Sequence, residues 1–244
     1  MADLLDWSRS AWAEMSGLPE GFTSGQMTLG ASPGSLICPP GWTGIVVLGD
    51  AAVVTTPDQA TARRCRAFAD VPVRDLTDPL VVSQIVGVEA VLGPAEVAFV
   101  DSPRCRPAIA DVEQLPADDP GIGALLESAG PQDAAESGIA GITSAAYVVR
   151  SLGVVLAASG YRAWPGRIAH LCVLTHPAYR DRGLARNVAS GAVTAALSRD
   201  LLPQWRARAP ASIRVAARLG FSRLGSQLSV HVSSGSVSAP GETG

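Results

Sequence analysis

Hydrophobic positions in the first part of the chain group into two short β-branched runs within residues 44–55, on either side of Gly49-Asp50. Two such runs around a glycine-containing dipeptide are typical of a β-hairpin. The other elements predicted before residue 107 are helices over 58–69 and 81–91 and a strand over 96–100. This part of the chain is therefore expected to mix helices with strands.

The second half shows a clearer succession of strand and helix patterns. Apolar runs over 145–149 and 154–158 predict two strands, and a third run predicts a strand over 168–175. Hydrophobic positions within 184–199 repeat at the spacing of an amphipathic helix. The remaining predicted elements are a helix over 121–129, a strand from Pro203, a helix from Pro210 that ends at Gly220, and a strand over 230–232.

These patterns divide the chain of 244 residues into three parts. Residues 1–106 are predicted to form a smaller α+β N-terminal lobe. Residues 107–232 are predicted to form the main domain. The Ser-, Gly- and Pro-rich residues 233–244 have the composition of a disordered tail.

Composition excludes several classes of protein. The apolar fraction of 47% permits a sizeable core, and wholesale disorder is therefore excluded. No uninterrupted apolar run approaches the roughly 18 residues of a transmembrane helix, and the acidic N-terminus lacks a signal-peptide pattern. The four cysteines form no CxxC pair, so neither a disulfide scaffold nor a metal site is expected. Reduced thiols and a cytoplasmic location are the expectation.

Charge is distributed unevenly along the chain. All nineteen basic residues are arginine. Residues 107–136 carry seven acids and no arginine, a local charge of −7, whereas residues 162–232 carry eleven arginines and two acids, a local charge of +9. The basic segment is suited to binding phosphates, and the acidic segment either attracts a cationic substrate or is solvated surface.

The most informative stretch is the loop with the sequence RDRGLA, residues 180–185, between a predicted strand and a predicted helix. A chain that leaves a strand and opens a helix presents unpaired backbone N–H groups, which bind anions together with the helix dipole. Gly183 would let a phosphate approach the backbone closely. The spacing matches neither a Walker loop nor GxGxxG. On this motif alone, an ordinary helix start with solvated arginines remains an alternative.

Two motifs in order give the loop a more specific meaning. Residues 171–185, LCVLTHPAYRDRGLA, and residues 211–221, ASIRVAARLGF, resemble the core of the GCN5-related N-acetyltransferase (GNAT) superfamily. The resemblance covers residues 140–232 well, 107–139 loosely and 1–106 hardly at all. It implies an α/β (α+β) fold with a mixed, mostly antiparallel twisted sheet flanked by helices. The preceding lobe could then be a degenerate GNAT-like copy.

The resemblance also implies acetyl-CoA as a co-substrate and assigns it a binding site. The strand that ends at Val173 would separate from its neighbour beside Trp205. Main-chain groups of the strand would pair with the pantetheine arm, and loop amides would hold the pyrophosphate. The residues assigned to the cofactor in this way are Val173, Leu174, Thr175, Arg180, Asp181, Arg182, Gly183, Leu184, Ala185 and Ser212.

Catalytic residues are less clearly indicated, because Ala209 and Ala216 stand where many relatives carry an asparagine and a tyrosine acid. His170 is the best candidate base, since it lies on the cofactor strand and an unperturbed imidazole titrates near pH ~6.5. Glu136 is a second candidate base, and Ser212 is a candidate proton donor. Each has a structural alternative: a packed histidine, a solvated loop acid and a residue of a helix N-terminus.

The sequence therefore predicts an acetyl-CoA-dependent N-acetyltransferase that acts on a primary amine of a small cationic molecule or a protein. The alternative is a non-catalytic module that binds or senses acyl-CoA. Overall acidity and few aromatic residues argue against a nucleic-acid partner, and no membrane partner is expected. The sequence leaves open whether the protein forms a homodimer.

Overall fold

The computed structural model describes residues 3–108 and 111–233. Its helices are α1 (Leu4–Ser16), α2 (Gln59–Arg64), α3 (Pro79–Ile85), α4 (Pro120–Ala129), α5 (Pro131–Ser137), α6 (Leu184–Leu197) and α7 (Pro210–Arg218). Its strands are β1 (Met27–Ala31), β2 (Thr43–Leu48), β3 (Ala51–Thr56), β4 (Val88–Phe99), β5 (Glu113–Leu115), β6 (Ala146–Ser151), β7 (Val154–Trp164), β8 (Ile168–Thr175), β9 (Leu202–Ala207) and β10 (Ser222–Val232). The fold is mixed α/β with mostly antiparallel strand pairing, as predicted.

The chain forms two compact units, one up to Glu96 together with the residues from Leu224 onward, and the other over Val97–Arg223. These limits differ from the predicted ones, because β4 and β10 each run across a limit between the units. The division into a lobe of residues 1–106 and a domain of residues 107–232 stays a prediction. The predicted tail, apart from Ser233, lies outside the described residues.

The first unit is built around the predicted hairpin. β2 and β3 pair antiparallel, and Gly49, with a φ of +62°, provides the left-handed turn between them. Both strands are buried along their whole length. Strand order in this unit is β1-β3-β2-β10-β4. The hairpin side chains pack against Phe68 and Leu76, which gives the unit its own core.

Three predicted elements of the first unit differ from those observed. The helix expected over 58–69 is α-helical only to Arg64 and continues as a 3₁₀ helix over Cys65–Asp70. The helix expected over 81–91 ends at Ile85, and β4 begins at Val88, since the β-branched residues after Gly87 pair in the sheet. The last strand is far longer than the predicted 230–232.

In the second unit, helices cover both faces of the sheet, whose strand order is β4-β9-β8-β7-β6-β5. α6 packs on one face through the small residues Ala189, Ala192 and Ala196, which let the helix approach closely. α4 packs on the other face through Ile122 and Leu125. The predicted strands and helices of this unit are observed with small shifts of their ends, except that β7 continues to Trp164, well beyond the predicted 154–158. None of the helices within the described residues has both the length and the apolar character needed to cross a bilayer.

Candidate active site

β8 lies between β7 and β9 and is fully paired on only one side. It pairs antiparallel with β7 from Ile168 to Thr175. Its parallel pairing with β9 covers only three positions and ends at His170 and Gln204. Beyond that point the described residues of β8 and β9 have no partner in each other. The strands therefore separate beside Trp205, and the β9-facing edge of β8 from residue 171 onward is left without a strand partner in β9.

The loop after β8 leads directly into the N-terminus of α6. Asp181 and Gly183 have φ values of +61° and +79°, so the loop turns through the left-handed region twice. No side chain caps α6, and its first hydrogen bond runs from the Asn187 amide to the Gly183 carbonyl, at 3.2 Å. The amides of residues 184–186 precede that bond. They form the open helix N-terminus that an anion would require.

Two buried polar atoms, one on each side of the loop, lack hydrogen-bond partners. They are Nε of Arg186, in the first turn of α6, and Oγ1 of Thr175, the last residue of β8. Buried donors and acceptors without partners are uncommon in folded proteins and call for an explanation. A phosphate at the helix end would supply acceptors for such groups. The residues present therefore fit the pyrophosphate of a coenzyme A.

Other side chains hold the loop in place. The Arg182 guanidinium lies 5.0 Å from the centre of the Tyr179 ring, and His176 Nδ1 accepts a hydrogen bond from the Ala178 amide at 3.2 Å. Arg180 forms an ion pair with Asp133 of α5. The loop arginines are thus only partly available to an anion, because one of them is already neutralised.

His170 lies in a cationic and partly dehydrated environment. Its ring stacks on Trp164 at a centroid distance of 4.3 Å, and its Nδ1 lies 3.2 Å from Gln204 Nε2. Burial, together with the nearby Arg206 and Arg162 guanidinium groups, lowers the pKa of His170 to about 3. The imidazole is neutral at pH 7 but only a weak proton acceptor. Its role as the base stays a prediction, and this lowered pKa counts against it.

The neutral state of His170 should make stability depend on pH. An unfolded histidine binds a proton below about pH 6.5, whereas the folded one stays neutral down to about pH 3. The free energy of unfolding should therefore fall as the pH is lowered from 6.5 towards 3. Urea unfolding at pH 7.0 and pH 4.5 tests this expectation. His170→Gln should show a smaller loss between the two conditions, and an identical loss in both proteins would contradict the assignment.

The other predicted catalytic residues occupy distinct surroundings. Glu136, in α5, forms an ion pair with Arg208 at 3.2 Å, and its carboxylate is therefore already engaged. Ser212, near the start of α7, accepts a hydrogen bond from Trp205 Nε1 at 2.9 Å, which leaves its own hydroxyl proton free to be donated. Burial raises the pKa of the Cys172 thiol to about 11. This cysteine is accordingly a packed thiol and not a nucleophile.

Sequence reasoning missed a set of side chains around His170. Arg162 and Gln204 lie opposite His170 in the neighbouring strands, and Arg206 follows two positions along β9. Arg206 also lies over the Trp164 ring, 5.5 Å from its centre. The sequence carried one signal for this set. Arg162 and Trp164 are two positions apart, as are Gln204 and Arg206, so the members of each pair lie on the same face of their strand.

A cavity of about 430 Å³ lies elsewhere in the second unit, beside α6. Tyr147, Asn187, Ser190 and Thr194 are among the residues that line it. No predicted site residue is among its lining residues. The cavity is therefore not assigned to the chemistry of the site.

A known protein family matches the part of the chain that contains β8, the loop after it and α6. Residues 147–226 match the model of the GNAT acetyltransferase family. This match, over about a third of the chain, confirms the resemblance predicted for the C-terminal part. It supports acyl transfer as the general activity. No curated protein matches the chain.

Solved structures with a similar fold are distant. One is an acetyltransferase of the GNAT family from Novosphingobium aromaticivorans, with 24% identity, a TM-score of 0.46 and coverage of 59% of this chain and 65% of that one. A GNAT-family acetyltransferase from Colwellia psychrerythraea has 14% identity, a TM-score of 0.46 and coverages of 60% and 58%. A GCN5-related N-acetyltransferase from Kribbella flavida has 15% identity, a TM-score of 0.49 and coverages of 78% and 90%. The chain thus spans less than two thirds of the first two structures.

Proposed function

We propose that this protein is an acetyl-CoA-dependent N-acetyltransferase that acts on a primary amine. The observation that carries the proposal is the uncapped N-terminus of α6 directly after a strand that separates from its neighbour. Support also comes from the family match over residues 147–226. Acetyl-CoA, when bound, supplies an activated acetyl group as a thioester.

The chain's own residues would bind and orient the reacting molecules. The amides of residues 184–186 and the Arg186 side chain would hold the pyrophosphate. The unpaired edge of β8 at Val173, Leu174 and Thr175 would align the arm and offer N–H groups to a carbonyl oxygen. Preorganised main-chain donors of this kind stabilise charge that develops on an oxygen.

The proposed reaction also requires a proton acceptor and a proton donor. An amine attacks only when neutral, so a base must take its proton directly or through a water molecule. His170 remains a candidate because it is neutral at pH 7, although its lowered pKa makes it weak. Ser212 is suited to donate a proton, since its oxygen accepts a hydrogen bond from Trp205 and its own O–H stays available.

The nature of the acceptor stays a prediction. The sequence favours a small cationic molecule or a protein amine, on the strength of the acidic run 107–136. Acids of that run are engaged by arginines in the structure: Glu113 and Asp119 by Arg150, Asp133 by Arg180, and Glu136 by Arg208. These ion pairs reduce the attraction that the run would have for a cationic acceptor.

A non-catalytic acyl-CoA-binding module is the second candidate. It is favoured by the environment of the two predicted bases, since His170 has a lowered pKa and Glu136 is held in an ion pair. Such a module would use the same loop and helix N-terminus. It would differ only in lacking turnover.

Calorimetric titration with acetyl-CoA and with free CoA tests the proposal first. We expect micromolar binding at one site, followed by release of free thiol when a panel of primary amines is added. Binding without turnover on any amine would favour the second candidate. Absence of binding would overturn both candidates, because both depend on the same loop.

A further inference from the structure

Three arginines lie on the same side of the sheet as His170, opposite the face covered by α6, and two of them, Arg162 and Arg206, are close enough to lower the pKa of His170. Arg162, His170 and Gln204 form a row across β7, β8 and β9, because they are register partners and partners share a face. Arg206 lies two positions beyond Gln204 on the same face. Arg208 follows directly after β9. Burial is the main cause that lowers the pKa of Arg206, and the charge of Arg208 lowers it further. We call Arg162, Arg206 and Arg208 the arginine cluster.

The arginine cluster concentrates positive charge. Arg208 is paired with Glu136 at 3.2 Å, whereas Arg162 has no ion-pair partner among the residues that the structure describes. Arg206 lies over Trp164, which in turn stacks on His170. One guanidinium group of the arginine cluster thus lies over a stacked pair of aromatic rings. Like charges on one face of a sheet repel one another, so an anion between them would be stabilised.

The position of the arginine cluster connects it to the proposed reaction. His170 is the last residue of β8 that pairs with β9, and the two strands separate immediately after it. The arginine cluster therefore borders the opening between the strands. It is distinct from the arginines of the loop after β8, since Arg180, Arg182 and Arg186 all lie beyond the other end of the separated segment.

We propose that the arginine cluster is the acceptor subsite, and that it binds the carboxylate or phosphate group of a small amine while the amine reaches the opening between β8 and β9. This inference rests on the proposed function, because it names the acceptor class of that same site. Guanidinium groups bind carboxylates and phosphates through paired hydrogen bonds, which accounts for the chemistry of the ligand. The row of three strands is about 10 Å wide at a spacing of about 4.8 Å, which fits a small molecule.

An amine that carries an oxyanion takes the place of the cationic acceptor expected from the sequence. A polyamine would be repelled by the guanidinium groups around His170. Of the acids that suggested such an acceptor, Glu136 is engaged with the arginine cluster itself. An oxyanion would be drawn to the same groups, and its binding would weaken with salt.

The test is an acetylation assay on matched pairs of amines, which differ only in the oxyanion. An amino acid is compared with its amide, and phosphoethanolamine is compared with ethanolamine; the two pairs distinguish a carboxylate from a phosphate. We expect at least tenfold higher kcat/KM for the anionic member of one pair. A preference for spermidine, or equal rates within both pairs, would overturn the proposal. A preference for an acidic peptide over every small amine would overturn the assignment to a small molecule.

Variants then assign the preference to the arginine cluster. Arg162→Gln should raise KM for the amine that carries the oxyanion at least tenfold, with little change in KM for the partner that lacks it and in the Kd of acetyl-CoA. Arg162→Lys, which keeps the charge but cannot form the paired hydrogen bonds, should retain only part of the preference. Arg218→Gln, an equal change of charge at an exposed position of α7, is the matched control and should behave as the wild type. An equal loss on both members of a pair would indicate a merely structural role.

A second readout separates this inference from the proposed function. If no amine is acetylated although acetyl-CoA binds, the proposed function fails, and succinate and inorganic phosphate are titrated directly. Binding of either anion that is lost in Arg162→Gln and kept in Arg218→Gln would support the anion subsite. Absence of binding, or equal binding by both variants, would overturn it.

Discussion

Replacing Gly183 by valine should weaken acetyl-CoA binding at least a hundredfold, which corresponds to about 2.8 kcal/mol. Gly183 has a φ of +79°, and a β-branched residue is a rare outlier in that region. A Cβ at this position would meet no other atom within 4 Å, so the penalty comes from the backbone and not from a clash. Relief of that strain requires the loop to change its dihedral angles. The amides of residues 184–186 would then no longer converge on one point.

Gly153 offers a closely matched control for this experiment. It lies in the turn between β6 and β7, has a φ of +80°, and its notional Cβ also meets nothing within 4 Å. Gly153→Val should therefore impose a similar backbone cost while leaving the Kd of acetyl-CoA unchanged. Calorimetric titration of both variants gives the comparison. Wild-type affinity in Gly183→Val, or the same loss in both variants, would remove the loop from the binding site.

Elements with local signals were predicted well from the sequence. The hairpin of β2 and β3 follows from two β-branched runs around a glycine-containing turn. The start of α6 follows from Gly183 and the amphipathic repeat after it. In both cases neighbouring residues alone determine the backbone, and no distant partner is required.

Elements whose stability comes from distant partners were predicted poorly. β4 contains Gly93-Pro94, a dipeptide that reads as a turn, and yet the strand continues through it. The first half of β10 consists mostly of polar residues and includes Gly225, and it becomes a strand because residues 225–230 pair with β2. Pairing between strands so far apart in the sequence cannot be predicted from the hydrophobic pattern of either strand alone.

The same limit explains what was missed in the candidate site. The loop of residues 180–185 is contiguous, so its anion-binding character could be predicted. Arg162 and Arg206 are far apart in sequence and meet only through the register of β7, β8 and β9. In the sequence alone, Glu136 has no recognisable partner. Its ion pair with Arg208 depends on the packing of distant elements and could not be predicted.

Trp205→Ala should destabilise the second unit by about 3–5 kcal/mol, the range for truncating a large buried aromatic residue. Trp205 is only 5% exposed and lies edge-on to Phe221, with ring centres 5.5 Å apart. It belongs to the core that joins α6 and α7 to the sheet. Urea unfolding followed by circular dichroism measures the loss. Trp164→Ala, which removes a more exposed tryptophan from the other face, should cost clearly less.

The hydrogen bond from Trp205 to Ser212 allows packing to be separated from catalysis. Trp205→Phe keeps an aromatic ring in the core but removes the N–H, and it should cost less than alanine because most of the packing survives. Ser212→Ala should cost about 1 kcal/mol, the ordinary value of such a bond. If Ser212 donates the final proton, Ser212→Ala lowers kcat strongly whereas Trp205→Phe does not. If both variants lower kcat only in proportion to their loss of stability, Ser212 is a packing partner of Trp205 and the proton comes from another group.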